Sequence, residues 1–113
     1  AFCNVLPELN HNEMTGFDAC EKSRALSANF HIVMLRDDAD HPRVQKRMDV
    51  AESVLGKRGL PVTSVDISDP HPWQKIFNAL LLADWFALAT AETNDAEPEQ
   101  VPMVEEFKKL MKT

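Results

Sequence analysis

Phe30-His31-Ile32-Val33-Met34-Leu35 is a short and almost wholly apolar run, and it reads as a buried strand over residues 30–35. It leads into Arg36-Asp37-Asp38-Ala39-Asp40-His41-Pro42. There Asp40 or His41 can cap a helix whose first position is Pro42. Val44, Met48, Ala51 and Leu55 then recur at intervals of four, three and four, which is one apolar face of a helix. Lys57-Arg58-Gly59 closes that helix with a basic last turn and a glycine just beyond it. Pro61-Val62-Thr63-Ser64-Val65-Asp66-Ile67 supplies a second strand over residues 61–67, with Val62, Val65 and Ile67 as its apolar positions. Strand, helix, strand in that order predicts a right-handed parallel crossover unit, and so an α/β fold.

Downstream, Ser68-Asp69-Pro70-His71-Pro72 turns the chain into a long helix from about residue 73 to 93. Ile76, Phe77, Leu80, Leu81, Leu82, Trp85, Phe86 and Leu88 make it apolar nearly all round. Such a helix is buried on more than one side, and some of its surface is expected to meet another domain or subunit. Asp84 within it needs a partner if buried. Met34, Met48, Trp73 and Trp85 read as core or interface packing. A polar linker over 94–102 precedes a last amphipathic helix over 103–112. Upstream, residues 18–28 read as a loop with some helix. The chain opens on Ala1-Phe2-Cys3-Asn4-Val5-Leu6 without an initiating Met. Since natural termini are usually polar, this start predicts a piece of a longer protein, with a first strand set inside a sheet.

Composition bounds the class. The chain has 113 residues, 44% of them hydrophobic and 27% charged, which suits one soluble globular domain or part of one. A net charge of -6 with no basic stripe argues against binding nucleic acid. The most apolar segment, residues 76–91, is shorter than the roughly 20 residues of a membrane span. Cys3 and Cys20 make neither a disulfide framework nor a zinc signature, and are expected as buried or partly buried thiols of a cytosolic protein.

The chemistry concentrates in Pro7-Glu8-Leu9-Asn10-His11-Asn12-Glu13, where two carboxylates, two carboxamides and one imidazole share seven residues. That grouping suits a proton-transfer site; it also suits a polar loop that caps the next helix. In parallel α/β folds ligands sit beyond the carboxyl ends of the strands. The rule predicts that the loop after Leu6, with Glu8, His11 and Glu13, shares one edge with the loop after Leu35, which carries Asp38, Asp40 and His41.

The run from Asn4 to Phe17, the block Met34-Leu35-Arg36-Asp37-Asp38-Ala39-Asp40-His41-Pro42-Arg43, the Leu82-Ala83-Asp84-Trp85 segment and the closing Val101-Pro102-Met103-Val104-Glu105-Glu106-Phe107-Lys108 resemble bacterial and archaeal bifunctional phosphoglucose/phosphomannose isomerases. The resemblance covers essentially the whole chain, and its first two blocks are the more specific. It implies a sugar isomerase (SIS) domain over residues 1–113: a three-layer α/β/α, flavodoxin-like arrangement with a parallel sheet flanked by helices. It further implies that this is the second of two SIS domains. The first would carry the phosphate-binding Ser/Thr loop and an arginine near the reacting carbons.

Such enzymes interconvert glucose 6-phosphate or mannose 6-phosphate with fructose 6-phosphate through a cis-enediol. The resemblance makes Glu13 the C1/C2 base, with Glu8 as its rival, and His41 the ring-opening acid, serving across a homodimer interface. Lys108 then assists ring opening, with Lys109 and the more distant Lys112 as register rivals. His11 and Glu8 would contact substrate; His11 could also orient Glu13 or make a structural hydrogen bond. His31 is better read as a core or interface histidine. No metal or organic cofactor is implied, and the expected place is the cytoplasm. A non-catalytic SIS module that binds phosphosugars, and a generic flavodoxin-like interaction domain, are the competing readings.

Overall fold

The computed structural model describes residues 3–112. The chain divides into two compact units, Ala1–Ser68 and Asp69–Thr113.

In the first unit a 3-10 turn, Glu8–Asn10, is followed by a short helix α1 (Glu13–Gly16) and by α2 (Glu21–Ser27). Strand β1 (Ile32–Asp37), helix α3 (Pro42–Lys57) and strand β2 (Val62–Ile67) complete it. The two strands pair in parallel, with a register running from Ile32 opposite Val62 to Asp37 opposite Ile67. A parallel pair requires a crossover, and α3 is that crossover. The α/β class and the strand–helix–strand unit are therefore as the sequence predicts.

Helix α3 is bounded by local chemistry at both ends. His41 is its N-cap, and Nδ1 of that ring accepts a hydrogen bond from the Arg43 N–H at 3.1 Å. Pro42 occupies the first turn, where its missing N–H costs nothing. At the far end Gly59 has φ +80°, a left-handed conformation that glycine adopts without a Cβ penalty. The Gly59 N–H reaches the Gly56 carbonyl at 2.9 Å and the Leu60 N–H reaches the Leu55 carbonyl at 3.2 Å. These are the two bonds of a Schellman motif, and the accompanying apolar contact is Leu55 with Leu60.

That contact belongs to the core. Met34, Ala51, Leu55 and Leu60 are buried, with Phe17, Ile32 and Val62 packed around them. Leu55 is the largest fully buried side chain, and burying such a side chain stabilises by about 1.5–3 kcal/mol. Asp18 ties the edges of this core together. It accepts from Arg24 of α2 at 3.2 Å and from Arg58, just past α3, at 2.9 Å.

Several expectations are corrected here. Residues 3–6 form no strand, and Cys3, Asn4 and Val5 are exposed; the part of that call on Ala1 and Phe2 lies outside the described residues. Strand β1 begins two residues later than expected and includes Arg36 and Asp37. The strand is not buried on both faces. Met34 points into the core, whereas Val33 and Leu35 stay 45% and 43% exposed, because α3 packs against the opposite face of the pleat. His31 precedes the strand, is exposed, and bonds Thr63 Oγ1 at 2.8 Å. Cys3 and Cys20 are exposed free thiols rather than buried ones.

In the second unit, α4 (Pro72–Thr93) and α5 (Pro102–Leu110) are joined by a polar connection. The Asp69 carboxylate accepts from Asn78 Nδ2 at 3.0 Å, which holds the turn that enters α4. No residue of α4 is buried, and Trp85 is 62% exposed. Asp84 is exposed too and so needs no buried partner.

Candidate functional site

The acidic–amide corner takes its shape from short-range bonds. The Leu9 N–H reaches the Val5 carbonyl, the Asn10 N–H reaches Pro7 and the His11 N–H reaches Glu8, each at 3.0 Å. Three consecutive closures of this kind wind residues 5–11 tightly and bring Glu13 back beside Asn4. The Asn4 Oδ1 accepts from the Val5 N–H at 2.7 Å, which fixes the carboxamide. Its Nδ2 donates to Glu13 Oε2. One carboxylate oxygen of Glu13 is thus held, and among the described residues no hydrogen bond engages the other. A fixed, half-engaged carboxylate is geometrically suited to accept a proton from a bound ligand.

Glu8, His11 and Glu13 are all exposed. Among the described residues no hydrogen bond or ion pair engages the side chains of Glu8 or His11, and none joins Glu8, His11 or Glu13 to His41. Asn4 is a contributor that sequence reasoning missed. It lies nine positions before its partner, beyond the reach of any helical or strand periodicity.

The two chemistry-bearing loops line different clefts. Beyond the carboxyl ends of the strands, Arg36, Asp37, Asp38, Asp66 and Ser68 meet Gln45, Met48 and Asp49 of α3 around a cleft of ≈ 360 Å³. Asn10 and Met14, from the corner, instead line a cleft of ≈ 330 Å³ with Lys46, Arg47, Val50 and Ala51 on the flank of α3. The expected common edge is absent for a physical reason. Without a strand over residues 3–6, no strand end carries the corner to the edge of the sheet.

In the strand-end cleft, Arg36 is spoken for. Its guanidinium donates to Asp49 at 2.8 Å, to Glu52 at 2.5 Å and to Ser64 Oγ at 3.0 Å. Asp49, then Glu52, hold the positive charge on Arg36 more firmly than usual. With two carboxylates on one guanidinium, Arg36 has little charge left for an anionic ligand.

His41 is exposed at the head of α3, with its backbone fixed on both sides. Its carbonyl accepts from Val44 at 2.7 Å and from Gln45 at 3.2 Å. The Gln45 amide meanwhile donates to the Asp38 and Asp40 carbonyls at 3.0 and 2.8 Å.

Lys108 lies on α5 in the second unit and binds Glu105 at 2.7 Å. Met103, Val104, Phe107, Leu110 and Met111 form the apolar stripe of that helix, and all are exposed. At about 100° per residue, Lys108 borders this stripe, whereas Lys109 falls nearly opposite and Lys112 lies between.

Residues 1–111 match the family model for the bacterial phospho-glucose isomerase C-terminal SIS domain. The chain belongs to that family. A bifunctional phosphoglucose/phosphomannose isomerase of Aquifex aeolicus (strain VF5) is 28% identical to this SIS domain over 113 residues, covering 99% of the chain and 34% of the relative. A protein of the same name from Caldicellulosiruptor bescii is 33% identical over 100 residues, covering 87% of the chain and 29% of the relative. The SIS domain thus spans about a third of the length of the curated relatives it matches. No solved structure matches it at a significant level. No helix among the described residues is long and apolar enough to cross a membrane.

Proposed function

We propose that this SIS domain is the C-terminal part of an aldose–ketose isomerase that interconverts glucose 6-phosphate and mannose 6-phosphate with fructose 6-phosphate. The observation that carries the reading is Glu13, a carboxylate held on one oxygen by Asn4 within a chain of this family. Glu13 moves the proton between C1 and C2 through a cis-enediol. The free oxygen takes the proton from one carbon and returns it to the other, and the Asn4 bond keeps the carboxylate in line for both transfers.

Around this step, His41 and Lys108 act at ring opening, and His11 and Glu8 contact sugar hydroxyls. No metal or organic cofactor is required, since an enediol forms by proton transfer alone. The substrate's phosphate needs cationic or N–H donors that this chain does not spare at the strand-end cleft, where Arg36 is engaged by Asp49 and Glu52. An N-terminal SIS domain supplies them. The working enzyme is a cytoplasmic homodimer of two-domain subunits in carbohydrate metabolism, and the 113-residue chain alone is inactive.

The test is isomerisation of glucose 6-phosphate and mannose 6-phosphate by the full-length protein, beside its Glu13→Gln and Glu8→Gln variants. Glu13→Gln is expected to lower kcat by about 10²–10⁴, the range for a positioned base, while Glu8→Gln mainly raises KM. Full activity in Glu13→Gln would sink the assignment of the base. A parent protein that binds both sugar phosphates without turnover would instead be a non-catalytic phosphosugar-binding module.

A further inference from the structure

Three carbonyls of the segment that carries His41 converge on one residue. The Gln45 Nε2 donates to the Asp38 carbonyl at 3.0 Å and to the Asp40 carbonyl at 2.8 Å, and the Gln45 backbone N–H reaches the His41 carbonyl at 3.2 Å. From this convergence we infer that Gln45 is a positioning residue, which fixes the segment from Asp38 to His41 so that His41 stands in one place for ring opening. The inference rests on the reading of His41 as a ring-opening residue and adds the group that holds it there.

The chemistry of the amide sets what Gln45 can do. A carboxamide nitrogen has two hydrogens, and here both are committed to backbone carbonyls. The oxygen end could not donate to either, so these contacts also settle which way the amide faces. Among the described residues no hydrogen bond engages its Oε1. Asp38 is exposed, and water would satisfy its carbonyl equally well. Ordering a long glutamine side chain, meanwhile, gives up rotamer freedom. The return on these bonds is thus a fixed backbone rather than added stability.

The rest of the segment is closed by its own bonds. The Asp40 N–H reaches the Asp37 carbonyl at 3.1 Å, and the Asp37 carboxylate accepts from the Ala39 N–H at 2.8 Å. Gln45 joins that turn to the first turn of α3, while the His41 ring is held by the Arg43 N–H at 3.1 Å. Backbone and ring are therefore both anchored on the same stretch of helix. Gln45 and Asp38 also line the strand-end cleft of ≈ 360 Å³, so the side chain that holds the segment borders the space beyond the strand ends. There a displacement of about 1 Å in a reacting group can cost about a hundredfold in rate.

The experiment compares Gln45→Met and Gln45→Glu with the parent in the full-length protein. Methionine keeps the length of the side chain and has no donor; glutamate keeps its shape and sets a carboxylate against two carbonyls. One readout is kcat and KM for glucose 6-phosphate. The other is exchange between the two anomers of glucose 6-phosphate, followed by NMR in a Glu13→Gln background, where ring opening continues while isomerisation is slowed. In Gln45→Met, kcat is expected to fall by about tenfold to a hundredfold, with KM little changed and anomer exchange falling in parallel. Gln45→Glu should fall further. If Oε1 instead accepted a sugar hydroxyl directly, Gln45→Glu would outperform Gln45→Met and the loss would sit in KM. That reversed order overturns the inference, as does a Gln45→Met protein with the parent's kcat and anomer exchange. A change in melting temperature with both rates intact would make the role merely structural and overturn it too. In each of these cases the parent still turns over sugar phosphate. A parent with no turnover of either sugar phosphate would refute the isomerase reading itself, and the inference with it.

Discussion

Replacing Glu13 by Gln removes a charge on which no core contact depends. Unfolding in urea is therefore expected to change by no more than about 0.5 kcal/mol, the range for surface positions, so any loss of turnover is a loss of chemistry. Asp18 is the opposite case. The hydrogen bonds from Arg24 and then Arg58 hold its carboxyl below the ordinary aspartate range. A group whose folded pKa is depressed contributes stability above its unfolded pKa, near 3.9, and that contribution is lost as pH falls through the lower, folded value. Wild type and Asp18→Asn should accordingly differ in melting temperature at pH 7 and converge well below about pH 4. A constant gap across that range would show that the clasp is steric rather than ionic. Glu13 and His41 stood out in the sequence because their residue types suit proton chemistry. Asn4 and Arg58, which hold Glu13 and Asp18, had no local signal, because each bond closes between positions that only the fold brings together.

Helix α3 was the most legible element, because everything that sets its limits lies within its own stretch of chain: His41 and Pro42 at one end, Val44 to Leu55 along one face, and Gly59 at the other. Strand β1 was less so. Arg36 and Asp37 looked like the start of a loop, but Arg36 extends the strand because its guanidinium reaches Asp49 and Glu52 across the helix. Those partners lie 13 and 16 residues further on. The core beneath this bridge predicts a graded pair of losses. Leu55→Ala is expected to cost about 2–5 kcal/mol, the range for a fully buried leucine, measured by urea unfolding. Arg36→Ala should cost about 1–2 kcal/mol, since its partners are partly solvated. An Arg36 change as costly as the Leu55 change would mean that the bridge, not the apolar cluster, holds helix to sheet.

At the scale of the molecule, α4 and α5 carry more apolar surface than a free-standing chain keeps in water. Trp73 and Phe77 are 72% and 62% exposed, and Phe107 and Leu110 are 62% and 67% exposed. The apolar circumference of α4 was legible from its sequence; what it packs against was not, because a helix's own periodicity does not name its partner. Trp73 and Trp85 are the two tryptophans of the chain, and they report on that surface directly. Their emission is expected to lie further to the blue in the full-length protein than in the 113-residue chain, read against full-length controls in which other tryptophans are replaced. Equal emission would mean that this surface stays in water in the longer protein as well.

The parallel pairing of β1 with β2 also has a kinetic consequence. Ile32 meets Val62, so a single helix-length loop must close before the first strand contact forms, and loop-closure entropy grows only slowly with length. All the buried members of the core, Met34, Ala51, Leu55 and Leu60, lie within that loop or on its strands. This unit can therefore nucleate before the residues beyond Ser68 contribute. Leu55→Ala is then expected to slow refolding in stopped-flow more than it speeds unfolding. On a ribosome, the same order of events would let the strand–helix–strand unit form while the last two helices are still being made.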